Sequence, residues 1–159
     1  NEFIIGSADE ALLVRSKSSR RKLSKNDQLT LEFAGVYRHY HAAFMRTIAI
    51  GKPTEHHVAM HKACRAALKA VEGVMRPGHT AGDVFDAHAE GAKFTPSWMD
   101  FPMFYHGNPV EILPDMVYFA HMILVDSDTE TAMTLGRTYI TTKGAPEPVS
   151  RLSLNLIVR

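Results

Sequence analysis

Leu29-Thr30-Leu31-Glu32-Phe33-Ala34-Gly35-Val36-Tyr37-Arg38-His39-Tyr40 is the stretch on which the reading of this chain turns. From Gln28 to Ala34 the apolar Leu29, Leu31 and Phe33 alternate with Gln28, Thr30, Glu32 and Ala34, the two-residue period of a strand with one polar face. Val36 to Ile50 is rich in β-branched and aromatic residues and has no helix cap, so it reads as a second strand paired with the first as a hairpin. Two turn positions fit. A Gly35-Val36 loop sets Glu32 opposite His39, whereas a Tyr37-Arg38 loop sets it opposite Ala43 and diagonal to His41. In both registers His39, His41 and Ala43 have one parity and share a face with Glu32.

Outward from the hairpin, Phe3 to Gly6 and Ala11 to Val14 are short apolar runs, and Arg15 to Lys25 is a polar, basic loop. Pro53-Thr54 starts a helix with Thr54 as N-cap, followed by Cys64, Leu68, Val71 and Met75 at spacings that build one apolar stripe; Pro77-Gly78 ends it. Thr80-Ala81-Gly82-Asp83 is a capping box that opens a second helix running to about His88. Met116 to Val125 is a strand with Val117, Phe119, His121, Ile123 and Val125 on one face. After an Asp126 to Thr129 turn, Thr131 to Thr142 returns, and Leu152 to Val158 is the last strand expected. The architecture expected is α+β: a curved, largely antiparallel sheet with two helices on one side.

Composition narrows the field. The 159 residues, 45% apolar, fit one globular domain, and a net charge of +1 gives no broad basic field for nucleic acid or an anionic membrane. No apolar run reaches the roughly 20 residues of a membrane span. The lone Cys64 suits a reducing compartment, taken as the cytoplasm. The opening at Asn1 has no signal-peptide pattern, and a piece of a longer protein is expected.

Nine histidines mark where chemistry is sought. Glu32, on a polar strand face beside a strand with two histidines, can serve as general base, nucleophile or counter-ion; the plainer alternative is an ion pair with Arg38 or Arg46. His39 and His41, two apart on a strand, are a usable ligand pair without a nearby carboxylate to complete a set. His57 and His61 share a helix face but lack the glutamate of a zincin motif, so His56, His57 and His61 read as solvated. His121 sits within an apolar strand and needs a partner or a purpose. Trp98, Asp100, Tyr105 and His106 lie in an aromatic, proline-broken segment suited to a pocket wall.

Taken together, the segment from Leu29 to Tyr40, Met45-Arg46-Thr47 and Met75 to Val84 resemble the catalytic domain of the creatinase and aminopeptidase P superfamily, the pita-bread fold. Phe94 to Asp100, His106 to Pro109 and Met122 to Asp128 are similar to its ectoine hydrolase subgroup. The resemblance covers nearly all of the chain, read as one partial domain over residues 1–159. It implies that the N-terminal creatinase-like domain is absent and that a stretch is missing between Ala89 and Lys93. In the two-metal members, two Asp, one His and two Glu hold the ions. Glu32 stands where the first Asp belongs and Ala43 where the second does. His121 matches the first Glu, and the second falls at Gly136 or Leu135.

Two close divalent cations need several carboxylates, and this set offers one. The resemblance then implies a site with no metal and no cofactor. The activity expected is a metal-independent, ectoine hydrolase-like attack on a C–N bond other than a peptide bond, in a small cyclic amidine. Glu32 would be nucleophile or general base, with His39 or His41, and His121, moving protons; Trp98, Asp100, Tyr105 and His106 would bind substrate. Alternatives are a metal-dependent Xaa-Pro peptidase-like or lyase enzyme, a lone metal on His39, His41 and His121, and an inactive pita-bread module that binds proteins. The expected partners are a small-molecule substrate and a second copy in a homodimer, with neither nucleic acid nor membrane.

Overall fold

The alternation around Glu32 is realised as the middle of one continuous sheet. In a computed structural model, residues 4–13, 17–38, 40–89 and 104–159 are described. Strand β1 (Ile4–Ser7) leads through a 3-10 turn (Ala8–Leu13) to β2 (Asp27–Tyr37) and β3 (Tyr40–Ile50). Helices α1 (Glu55–Val74) and α2 (Ala81–Ala89) follow, then β4 (Val117–Asp126), β5 (Thr131–Ile140) and the short β6 (Glu147–Pro148) and β7 (Ile157–Val158). The sheet order is β1-β2-β3-β5-β4, with β6 on β5 and β7 parallel to β3.

The hairpin turns later than either register expected. Tyr37 pairs with Tyr40, so the turn falls between them, and Arg38 takes a φ of 46°, the left-handed conformation that tight hairpin loops require. Glu32 therefore lies opposite Met45, not His39 or Ala43. The three registers differ by even numbers of residues, so the parity argument survives the correction.

One sheet face is closed by helices. Met60, Cys64, Leu68 and Val71 of α1, with Met75 and Val84, pack on Tyr118, Ala120 and Met122 of β4 and Met133, Leu135 and Tyr139 of β5. These are the even positions of one strand against the odd positions of its neighbour, as antiparallel pairing demands. Both helices begin as read. The Thr54 hydroxyl accepts from the His57 N–H at 3.1 Å, and the Thr80 and Asp83 side chains cap each other's N–H groups. No described helix is long and apolar enough to cross a membrane.

Arg46 is fully buried on this covered face. It lies 4.0 Å over the Phe44 ring and donates to the carbonyls of Met45 (2.7 Å) and Gly136 (2.6 Å). Desolvation, with Arg137 nearby, lowers its pKa to about 10. The expected last strand is mostly a strap: Arg137, Arg46 and His61 donate to the carbonyls of Leu152, Ser153 and Leu154, and Arg65 to Asn155 Oδ1. Side chains take the carbonyls that a strand ladder would use, so strand pairing is confined to Ile157 and Val158.

Candidate active site

The opposite, open face carries Glu32 and His121. Pairing fixes one row across the sheet: Ile4, Glu32, Met45, Gly136 and His121, each directly opposite the next. Directly opposite residues share a face, so Glu32 and His121 stand on one surface with Met45 and Gly136 between them. Three strand steps of about 4.8 Å put their backbones roughly 14 Å apart. Met45 and Gly136 separate the two groups along the row.

One end of this face is closed by hydroxyls. Thr30, Thr47 and Thr134 are buried, Thr47 and Thr134 are 3.2 Å apart through their oxygens, and Thr30 donates to the Gly6 carbonyl. Between them and the row lies a shallow surface dimple lined by Ile4, Thr30, Leu31, Glu32, Met45 and Thr134, too small to enclose a water. Toward the hairpin the floor is Ala34 opposite Ala43, with little side chain to fill it. Arg46 belongs to the covered face, so the expected Glu32–Arg46 ion pair is excluded by register.

The His121 end is built by a glycine. A Cβ at Gly136 would stand 2.9 Å from the His121 Cβ and 2.9 Å from two ring carbons of Phe119. The Phe119 ring thus crosses the neighbouring strand at Gly136, and His121 stacks on it at 5.0 Å and 14°. A glycine inside a strand marks such close approach, a signal that sequence reading took only as an absent ligand. Leu135 faces the helices, so Gly136 is the position that shares the open face.

The other candidates scatter. His41 is exposed and pairs with Val36, four residues along β3 from Met45, which is about 13 Å at the rise of a strand; it is not brought to Glu32. His39, Trp98 and Asp100 lie outside the described residues. Tyr105 is exposed and His106 bonds Asp86 of α2 at 2.9 Å. That hydrogen bond raises the His106 pKa. The adjoining Phe104 packs on Tyr118 of the covered face at 5.1 Å, which ties this loop to the helix side of the sheet. The helix histidines are tied down, not merely solvated. His56 meets Asp126 at 2.9 Å, His57 reaches Thr54 and Gln28, and His61 donates to Leu154.

A sheet of this order with helices on one face and polar side chains on the other is the pita-bread architecture. The profile of metallopeptidase family M24 matches residues 2–132, and the chain belongs to that family. The Xaa-Pro dipeptidase of Pyrococcus furiosus is 26% identical over 83 residues, 52% of this chain and 24% of that protein. Among solved structures, a dipeptidase from Pyrococcus horikoshii aligns with a TM-score of 0.90 at 18% identity over all of this chain and 49% of its own. Dipeptidase PepE from Mycobacterium ulcerans aligns at 0.87 and 20% identity over 99% of this chain and 47% of its own. The chain spans about half the length of these structures.

These relatives correct the expected activity. They are dipeptidases, which cleave peptide bonds, and their family is one of metallopeptidases; the metal-independent, ectoine hydrolase-like attack on an amidine is set aside. The metal itself is a separate test. Ala43 and Gly136 carry no donor, the space beside Gly136 is filled by the Phe119 ring and the His121 Cβ, and no group of three His, Cys, Asp or Glu among the described residues comes together to hold an ion. The described residues do not fit a metal centre.

Proposed function

We propose that this chain forms the substrate-facing part of a hydrolase of short peptides, of the Xaa-Pro dipeptide class. The observation that carries the reading is the cross-sheet row with Glu32 at one end and His121 at the other. A dipeptide laid over Met45 and Gly136 presents its carbonyl carbon toward Glu32 and its imide nitrogen toward His121. Glu32 takes a proton from water as the oxygen attacks that carbon, and His121 gives a proton to the departing proline nitrogen. Two groups with opposite proton tasks on opposite sides of a scissile bond are what acid–base catalysis needs. The family resemblance and the dipeptidase relatives support the substrate class.

The test is proline release from Xaa-Pro dipeptides by the full-length protein, alone, with chelator, and with added Mn²⁺ or Co²⁺. Release that falls by about a hundredfold or more in Glu32→Gln supports the assignment; no release in any condition overturns it. Release that needs an added ion would place the donors outside the described residues. Ala43 and Gly136 favour a second reading, a module that binds peptides without cleaving them, which predicts calorimetric binding with no proline formed. Homodimerisation is proposed as well, and sedimentation of the full chain reads it directly. A cytoplasmic setting fits Cys64, buried and pushed up to about 12.

A further inference from the structure

We propose that Gly136 and Phe119 are positioning residues for His121, a role that rests on the proton-donor reading of His121 given above. His121 stands on β4, at the margin of the strand path β1-β2-β3-β5-β4, with strand pairing on its β5 side. A proton donor must present one nitrogen to one place, so the rotamer of a half-buried imidazole there matters. The missing side chain at 136 answers this. It leaves a slot on β5 into which the Phe119 ring folds, since that ring comes within 2.9 Å of where a Cβ would be. Phe119 is two residues from His121 and so on the same face, and its ring lies 5.0 Å from the imidazole at only 14° between planes. The plane of the imidazole is therefore set by a ring that is itself held by a glycine on the next strand.

The neighbouring row shows that this is a choice of packing. Phe119 is opposite Thr138, yet its ring turns along the strand toward Gly136 instead of standing over its own partner. Thr138 is buried and donates its hydroxyl to the Ala43 carbonyl at 2.9 Å, so it claims the space that the ring would otherwise take. Offset aromatic pairs at such spacing hold specific geometry. A side chain at 136 would meet the Phe119 ring and the His121 Cβ at once.

The experiment uses the full chain and two readouts. In the first, without substrate, the His121 ring protons are assigned by nuclear magnetic resonance in the wild type and in Phe119→Leu, Phe119→Tyr and Gly136→Ala. The stack predicts upfield ring-current shifts in the wild type and in Phe119→Tyr, lost in Phe119→Leu and Gly136→Ala. In the second, proline release from an Xaa-Pro dipeptide is expected to show kcat about tenfold or more lower in Phe119→Leu with KM little changed, restored in Phe119→Tyr. Ring protons of the wild type without an upfield shift, or the same shift in Phe119→Leu, overturn the positioning whatever the activity. The expected shifts with kcat unchanged in Phe119→Leu also overturn it, since an imidazole that need not be held has no positioning residue. The expected shifts in a chain that releases no proline under any condition leave the ring geometry upheld and sink the peptidase reading instead. Should Phe119→Leu fail to fold, Gly136→Ala and Phe119→Tyr carry the comparison.

Discussion

The two faces of the sheet are made from the same strands and have little else in common. On β4, Tyr118, Ala120 and Met122 are buried under the helices, while Phe119, His121 and Ile123 alternate with them on the open side and stay half-buried. On β5 the same split puts Met133 and Leu135 in the core and Thr134 and Gly136 on the other side. The difference teaches where each cost is carried. The covered face gains about 25 cal/mol for each Å² of apolar surface removed from water. The open face keeps a carboxylate, an imidazole and a glycine, none of which a sheet would choose for stability. Its buried threonine hydroxyls are tolerated because Thr30, Thr134 and Thr138 each find a hydroxyl or carbonyl partner.

That separation can be broken from either side. The largest effect expected is on activity: Glu32→Gln lowers dipeptide turnover by about a hundredfold or more while the thermal midpoint stays near the wild-type value. A large fall in midpoint would show that Glu32 holds the sheet together, and the division of labour would be wrong. From the covered side, Leu68→Ala removes a side chain with 0% exposure from the contact between α1 and the sheet. It is expected to cost about 2–5 kcal/mol of stability, read by urea unfolding, with turnover per folded molecule preserved. Loss of turnover in the folded fraction would mean that the helices shape the open face.

How much of this was legible follows from what each signal measures. The alternation around Glu32 and along β4 was readable because burial on one face imposes a period of two, and the caps at Thr54 and Thr80 because orphan N–H groups demand acceptors. The turn was misplaced by one or more residues because Arg38 adopts a positive φ that its side chain does not advertise; glycine at 35 advertised it instead and is an ordinary strand residue. The strap was read as a strand because Leu152 to Val158 alternates, and no local pattern shows that Arg46, His61 and Arg137, far away in sequence, claim its carbonyls. At the site, parity put His39, His41 and Ala43 on the face of Glu32, and only the family resemblance linked His121 to it. Parity did not reveal that His41 lies four residues further along β3, or that Gly136 is a slot for Phe119. The substrate class went astray because absent ligands were weighed as chemistry, whereas an Xaa-Pro dipeptidase matches 52% of the chain.

Smaller effects test how the covered face is anchored at its corner. Thr54→Ala removes the hydroxyl that accepts from the His57 N–H and is expected to cost about 1 kcal/mol, as N-cap losses do. Because α1 spans the covered face, the loss should appear as a lower midpoint with no change in the ratio of kcat to KM.

The smallest prediction concerns acid, and it turns on one tautomer. Gln28 donates both amide hydrogens, to the carbonyls of Ala8 (2.8 Å) and Glu130 (2.6 Å), so its oxygen is free to accept from the Ala132 N–H and from His57 Nε2. His57 therefore carries its proton on Nε2, and its Nδ1 accepts from the Thr54 hydroxyl at 2.8 Å and from the Thr54 N–H at 3.4 Å. Protonation of Nδ1 would set two donors against each other at the start of α1. Desolvation, with His56 beside it, already lowers the His57 pKa from 6.5. His61 is lowered too, by burial first, with Arg65 and Arg46 nearby. His56 itself faces Asp126, whose carboxyl is held low by the Thr129 hydroxyl. A histidine with a depressed folded pKa contributes stability that is complete above about 6.5 and lost as pH falls below it. The exposed His106, raised by Asp86, works in the opposite sense and is screened by water. Midpoints measured from about pH 7.5 down to about pH 5.5 should fall, and the fall should be shallower in His57→Gln, whose amide can meet Gln28 but cannot be protonated. An equal slope in both proteins would move the acid sensitivity from this corner to His61, beneath the strap.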